Sequence, residues 1–153
     1  MPPAGKADAG LTLRTATSAD LTELAALDAR CFAEGVSYSP DVLSFFVSGE
    51  KSRTLLAMRD GRIAGFAAAV IRSARGAHIV TIEVDPSERR KGVGTTLLMA
   101  LESWAQNVSD RIFLEVDADN VPAISLYEKL DYLLAKEFEE DGQNRLAMWK
   151  ALG

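Results

Sequence analysis

Hydrophobic and polar positions change period several times along the chain, and each change marks an element. Leu11–Ala16 alternates as a short strand does. Ser18 stands where a helix N-cap belongs, with Asp20 and Glu23 in the first turn, where the helix dipole favours acids. Leu21, Leu24, Leu27 and Cys31 then share one face, so a helix is expected over 19–33. The loop Ala33–Tyr38 follows. Ser39-Pro40-Asp41 opens a second, short helix to Val47, with proline at the first helical position. From Arg53 the period shortens: Arg53–Met58 and Arg62–Ile71 form a hairpin about Asp60-Gly61, and Arg75-Gly76 turns the chain into a strand over His78–Val84. Beyond Pro86, the residues Val93, Leu97, Leu101, Trp104 and Val108 recur at helical spacing. Arg111–Val116 is the next strand and Asn120–Leu130 the next helix, and Tyr132–Phe138 with Arg145–Lys150 closes the chain as a hairpin. The order β-α-α-β-β-β-α-β-α-β-β predicts an α/β layered domain with a mostly antiparallel sheet. Residues 1–10 read as a flexible leader and 11–153 as a single domain.

Composition narrows the function classes. A length of 153 residues suits one domain. Lys and Arg number 17 against 22 Asp and Glu, a net charge of −5, which argues against a nucleic-acid partner. One cysteine, Cys31, excludes an intramolecular disulfide, and on the apolar stripe of the first helix it reads as core. One cysteine and one histidine, His78, do not make a zinc cage of the usual kind, so no metal is expected. No apolar run reaches the roughly 18 residues of a membrane span. Met1–Lys6 has no apolar stretch behind its charge, so a cytoplasmic protein without a membrane partner is expected.

The chemistry gathers in one stretch, from Ile82 to Gly94. A strand stops at Pro86, Arg89-Arg90-Lys91 follows, and Gly92 and Gly94 open the long helix. The first turn of a helix presents unpaired N–H groups and the positive end of the dipole, and glycine lets a bulky anion approach the backbone. Neither a Walker loop nor the three-glycine dinucleotide fingerprint is present. The competing reading is a basic, solvated loop whose glycines serve only the turn.

Arg89-x-x-Gly92-x-Gly94 matches the Arg/Gln-x-x-Gly-x-Gly/Ala signature of the GNAT acetyltransferases. Downstream, Leu114-Glu115-Val116, Asn120, Ala123-Ile124 and Leu126-Tyr127-Glu128-Lys129-Leu130 resemble the corresponding run of RimI-like and archaeal N-terminal protein acetyltransferases. The resemblance implies the GNAT fold, an α/β (α+β) architecture. Its central sheet is mixed and mostly antiparallel, of about six to seven strands with about four flanking helices. It also implies acetyl-CoA as co-substrate. Arg89, Arg90, Lys91, Gly92, Val93, Gly94 and Thr95 would hold the pyrophosphate, the backbone of Ile82, Glu83 and Val84 would pair with the pantetheine arm, and Asn120 and Tyr127 would complete the cofactor site. The acceptor would be a primary amine, with a protein N-terminal α-amine first and a small amine or lysine second. An idle acyl-CoA-binding domain is a third reading, and the oligomeric state, monomer or homodimer, stays open.

Acetyl transfer by direct attack in a ternary complex needs a neutral amine, a stabilised oxyanion and a proton for the departing thiolate. By resemblance Tyr127 is the acid; as a residue of an amphipathic helix it also reads as core. Glu115 is the candidate base through water, or else an outward-facing strand glutamate. His78 is the second candidate base, or an exposed strand histidine. Strand parity groups His78 with Val80, Ile82 and Val84 and sets Glu83 on the other side, below His78 as a candidate. Asn120 doubles as the helix N-cap. The chain departs from its relatives' pattern in two places. Lys136-Glu137-Phe138-Glu139-Glu140-Asp141 stands where many N-terminal acetyltransferases carry adjacent tyrosines, either a draw for a cationic substrate or a solvated turn. Asp131 stands where a left-handed glycine is usual.

Overall fold

A computed structural model describes residues 10–32 and 37–153. The expected leader as far as residue 9, and loop residues 33–36, lie outside the described residues. Seven strands form one sheet: β1 (Leu11–Thr15), β2 (Ser52–Arg59), β3 (Arg62–Ser73), β4 (Gly76–Val84), β5 (Arg111–Asp117), β6 (Leu133–Glu140) and β7 (Gln143–Ala151). The helices are α1 (Leu21–Cys31), α2 (Pro40–Ser48), α3 (Val93–Ala105) and α4 (Val121–Lys129).

Several ends differ from the expected ones, each for a local reason. Thr17, not Ser18, caps the first helix, and Ser18–Asp20 makes one turn of 3-10 helix before α1. The Asp20 carboxylate reaches back to the Thr17 N–H at 2.8 Å and takes both Arg14 Nη atoms at 2.8 and 2.9 Å. That reciprocal cap belongs to the residue three before the acid. The Arg14 hydrogen bonds hold Asp20 down at about 2. α1 stops at Cys31 because Phe32 is extended. The Ala105 carbonyl takes the N–H groups of Val108 at 3.0 Å and Ser109 at 2.8 Å, ending α3 before Val108. The third strand runs on to Ser73, so Gly76 begins β4 instead of sitting in the turn. In the closing hairpin most of the acidic run lies in β6, and only Asp141-Gly142 turns, both at positive φ. Asp60-Gly61 turns the first hairpin in the same way, and Asp131 adopts φ 73°, the left-handed conformation a glycine would take.

The sheet order is β1-β2-β3-β4-β5-β7-β6, antiparallel throughout except between β4 and β5. Both faces are covered. α1 and α2 place Leu24, Leu27, Leu43 and Phe46 over Leu56, Phe66 and Ala68. On the other face, Val93, Leu97 and Leu101 of α3 lie over Leu55, Ala57, Ala67 and Ala69. Alternate residues of β2 and β3 thus enter opposite layers, which is why these strands read as continuous apolar runs.

Two irregularities shape the centre. The pairing of β3 with β4 steps from Ala69↔Ile79 to Ala68↔Thr81, leaving Val80 as the extra residue of a bulge. The bulge reverses the parity read from sequence. Ile79 and Ile82 face α3, whereas His78, Thr81 and Glu83 face the α1/α2 side. The second irregularity is a split. β4 and β5 pair only at Ala77↔Ile112 and His78↔Phe113, and beyond them the strands part into a wedge.

Candidate active site

The loop from β4 to α3 is built to present backbone. Asp85 Oδ1 accepts from Ser87 N–H at 3.0 Å and Ser87 Oγ at 2.8 Å, and Oδ2 accepts from Arg30 at 2.8 Å. The Ser87 bonds first, then Arg30, hold the Asp85 carboxyl at about 2. Beneath the loop, Glu88 is buried and pairs with Arg59 at 2.8 Å and Lys91 at 4.0 Å. Arg89 donates its Nε–H to the Val84 carbonyl at 3.1 Å, tying the loop to the end of the strand, while Arg90 stands exposed at φ 67°. Gly92 caps α3 at φ 83°, a conformation that suits glycine. The first bond into α3 is Thr96 N–H to Gly92 O at 3.0 Å, so the amides of Val93, Gly94 and Thr95 belong to the open first turn.

Gly94 is a glycine that the chain itself does not require. A Cβ there would meet Leu126 Cδ2 at 3.5 Å and Val84 Cγ2 at 3.8 Å, ordinary van der Waals contact, at a helical position. Gly94 stands where α3, α4 and the end of β4 converge.

The candidate reacting groups flank the wedge. Tyr127 of α4 is 9% exposed and packs in a cluster with Ala77, Ile79, Leu114 and Val116, across both strands of the split. Burial pushes its phenol up to about 12. Nearby, the Tyr132 hydroxyl donates to Glu102 Oε2 at 2.9 Å, and burial raises it further. Glu115 alternates with Leu114 and Val116 on β5, is exposed, and stands on the α1/α2 face. His78 lies at the closed end of the wedge, its ring stacked on Phe113 at 4.8 Å and its Nδ1 3.4 Å from Arg72 Nη2. Burial, and then the Arg72 charge, lower the His78 pKa against an opposing pull from Glu115. Asn120 caps α4, its Oδ1 accepting from Ala123 N–H at 3.3 Å.

Two residues near the wedge went unread in the sequence. Tyr38, taken only as the end of a loop, donates its hydroxyl to the carbonyl of the bulged Val80 at 3.0 Å. Asp28 is 1% exposed within the α1 layer, and its polar character four residues after Leu24, on a buried stripe, was the available signal. Glu83, ranked low as a base, turns out to be buried on the same face as His78.

The comparisons agree with this geometry. The E. coli ribosomal-protein-S18-alanine N-acetyltransferase superposes with a TM-score of 0.81 at 25% identity, over 93% of this chain and 94% of that one. An N-alpha-acetyltransferase of Saccharolobus solfataricus is 40% identical over 83 residues, 51% of this chain and 50% of the relative. An uncharacterized N-acetyltransferase of Methanocaldococcus jannaschii is 28% identical over 145 residues, 92% of this chain and 91% of the relative. The chain spans about half the length of several curated relatives it matches. The sequence profile of the acetyltransferase (GNAT) family matches residues 21–132, most of the sequence. The chain belongs to the acetyltransferase (GNAT) family.

Proposed function

We propose that the protein is an N-acetyltransferase that uses acetyl-CoA and acts on primary amines, with protein N-terminal α-amines as its first class of acceptor. The observation that carries this reading is the wedge with chemistry on both sides: the Tyr127 phenol on the α3/α4 face, and Glu115 and His78 on the α1/α2 face. Attack on a thioester carbonyl needs that polarity, a proton acceptor where the amine enters and a proton donor where the sulfur leaves. Bound acetyl-CoA supplies the acyl thioester and nothing else that the chain must provide.

The open first turn of α3 and the Arg89–Gly94 loop take the pyrophosphate, as a helix N-terminus suits. The amides and carbonyls of Ile82 to Val84 on the open side of β4 face no neighbouring strand, and they orient the pantetheine arm. Glu115 accepts the proton of the incoming amine through water, and an α-amine with a pKa of about 8 asks little of it. His78 is the weaker base, since the stack on Phe113 and the proximity of Arg72 occupy its ring at the closed end of the wedge. Tyr127 delivers its proton to the departing thiolate. No side chain needs to carry the acetyl group.

The N-terminal preference is supported by the relatives named N-alpha-acetyltransferase and by the likeness to the S18-alanine enzyme. The second reading, small amines, has one observation in its favour. Glu137, Glu139 and Glu140 stand exposed along β6, an acidic edge that suits a cationic acceptor. Incubation with acetyl-CoA, free-N-terminus peptides and a panel of amines, read by mass shift, decides among the readings. Acetylation of peptide α-amines is the expected result. Acetylation confined to small amines or lysines overturns the N-terminal reading, and cofactor binding with no acetylated acceptor favours an idle domain.

A further inference from the structure

β4 buries a charged side chain that the reaction above does not use. Glu83 is 2% exposed and stands across from Phe66 in the layer whose apolar core includes Leu24, Leu27, Leu56 and Phe66. A lone carboxylate there is expensive, so the group needs a cation or a proton. Thr81 Oγ1 donates to Glu83 Oε2 at 2.9 Å, while Oε1 has no donor among the described residues. The group facing it is Asp28 of α1, 1% exposed. Asp28 Oδ2 accepts from the Tyr38 N–H at 2.8 Å, and its Oδ1 likewise has no donor among the described residues. Among the described residues, the other titratable groups next to the pair are Cys31 on α1, which Arg89 and Asp85 flank in turn, and Tyr38 ahead of α2, on which Arg145 of β7 acts; Thr81 is the polar neighbour on β4 itself. Two unpartnered oxygens on facing carboxyls are satisfied together by one proton between them.

We propose that Glu83 and Asp28 share a single proton and that this pair is a positioning device for the acceptor side of the wedge, fixing Tyr38 across the bulge of β4. Three anchors hold Tyr38: its backbone N–H on Asp28, its hydroxyl on the Val80 carbonyl, and its ring edge-on to Phe46 at 5.2 Å. Arg145 of β7, from the far side of the split, is near enough for its charge to act on the Tyr38 hydroxyl. Tyr38 thus stands over the bulge of β4 on the α1/α2 side of the sheet, the side on which Glu115 also stands. Glu83 acts on the acceptor only through Asp28 and Tyr38. Burial first, then the Asp28 carboxyl, push Glu83 up to about 8, so the pair keeps its proton at neutral pH and loses it above. The positioning half of the proposal rests on the proposed acetyl transfer, and the shared proton does not.

Carboxyl carbon-13 NMR tests the proton directly, with the Glu83 signal identified by its loss in Glu83→Gln. A titration near pH 8 is expected, moving down in Asp28→Asn, which keeps an acceptor for the Tyr38 N–H and removes the charge. A Glu83 signal in the ordinary range, about 4.3, overturns the shared proton. Kinetics test the positioning. Acceptor KM is expected to climb above pH 8 in the wild type, and to climb far less in Glu83→Gln, whose amide can donate to Asp28 and accept from Thr81. Glu83→Ala is expected to raise acceptor KM about tenfold with a much smaller effect on acetyl-CoA KM. An equal alkaline climb in wild type and Glu83→Gln overturns the positioning role. If Glu83→Ala does not fold, the comparison of wild type with Glu83→Gln carries this arm. If no amine is acetylated, the proposed function fails, and the NMR titration still decides the proton.

Discussion

Burial holds the Tyr127 phenol near 12, so it still carries its proton at the pH of about 8 where an α-amine becomes neutral, and as the proposed acid it has that proton to give to a thiolate forming beside it. Tyr127→Phe is expected to lower kcat by about 10²–10⁴ while leaving the acetyl-CoA dissociation constant within about twofold, measured by steady-state kinetics and calorimetry. An unchanged kcat rules out the acid. On the other face, Glu115→Gln is expected to remove the ascending limb of the pH–rate profile, and His78→Ala to retain it; the reverse result assigns the base to His78. At this scale the sequence revealed residue types better than directions. The burial of Tyr127 and the exposure of Glu115 were legible from their neighbours. The facing of His78 and Glu83 was not, because a bulge at Val80 is set by register against β3, to which β4's own alternation is blind.

The loop and helix that follow β4 form the element in which sequence and structure agree most closely. Basic residues, a glycine and an open first helical turn appear in the order in which they were read, and the structure adds that Gly92 is left-handed. Gly94 separates binding from folding. Alanine is worth about 1 kcal/mol more than glycine inside a helix, and the contacts waiting for a Cβ are ordinary ones. Gly94→Ala is therefore expected to leave Tm unchanged or higher while weakening acetyl-CoA binding, checked by calorimetry on the same samples. A variant that binds acetyl-CoA normally places the pyrophosphate elsewhere. Element ends were less legible: Ser18 and Thr17 are both capping residue types, and what decides for Thr17 is Asp20, three residues on, reaching back to its N–H while Arg14 of the preceding strand holds the carboxylate.

Across the whole molecule, the element order and a mostly antiparallel sheet followed from periodicity, whereas the strand order did not. Nothing local to β5 and β7 says that the last strand inserts between β5 and β6. The split between β4 and β5 was equally silent, since it is a property of two strands that stop pairing after two residues. That short seam has a mechanical consequence. The sheet consists of two leaves, β1–β4 and β5–β7, on a narrow spine, with Leu98 of α3 and Tyr127 of α4 in one apolar cluster with residues of both. A pantetheine arm hydrogen-bonded along β4 would close the gap as an eighth strand made of something other than peptide. Coenzyme A should then slow amide exchange in both leaves together, by about 2.7 kcal/mol when supplied at a hundredfold excess over its dissociation constant. Slowing confined to the α3 loop would mean that the leaves are already clasped without it.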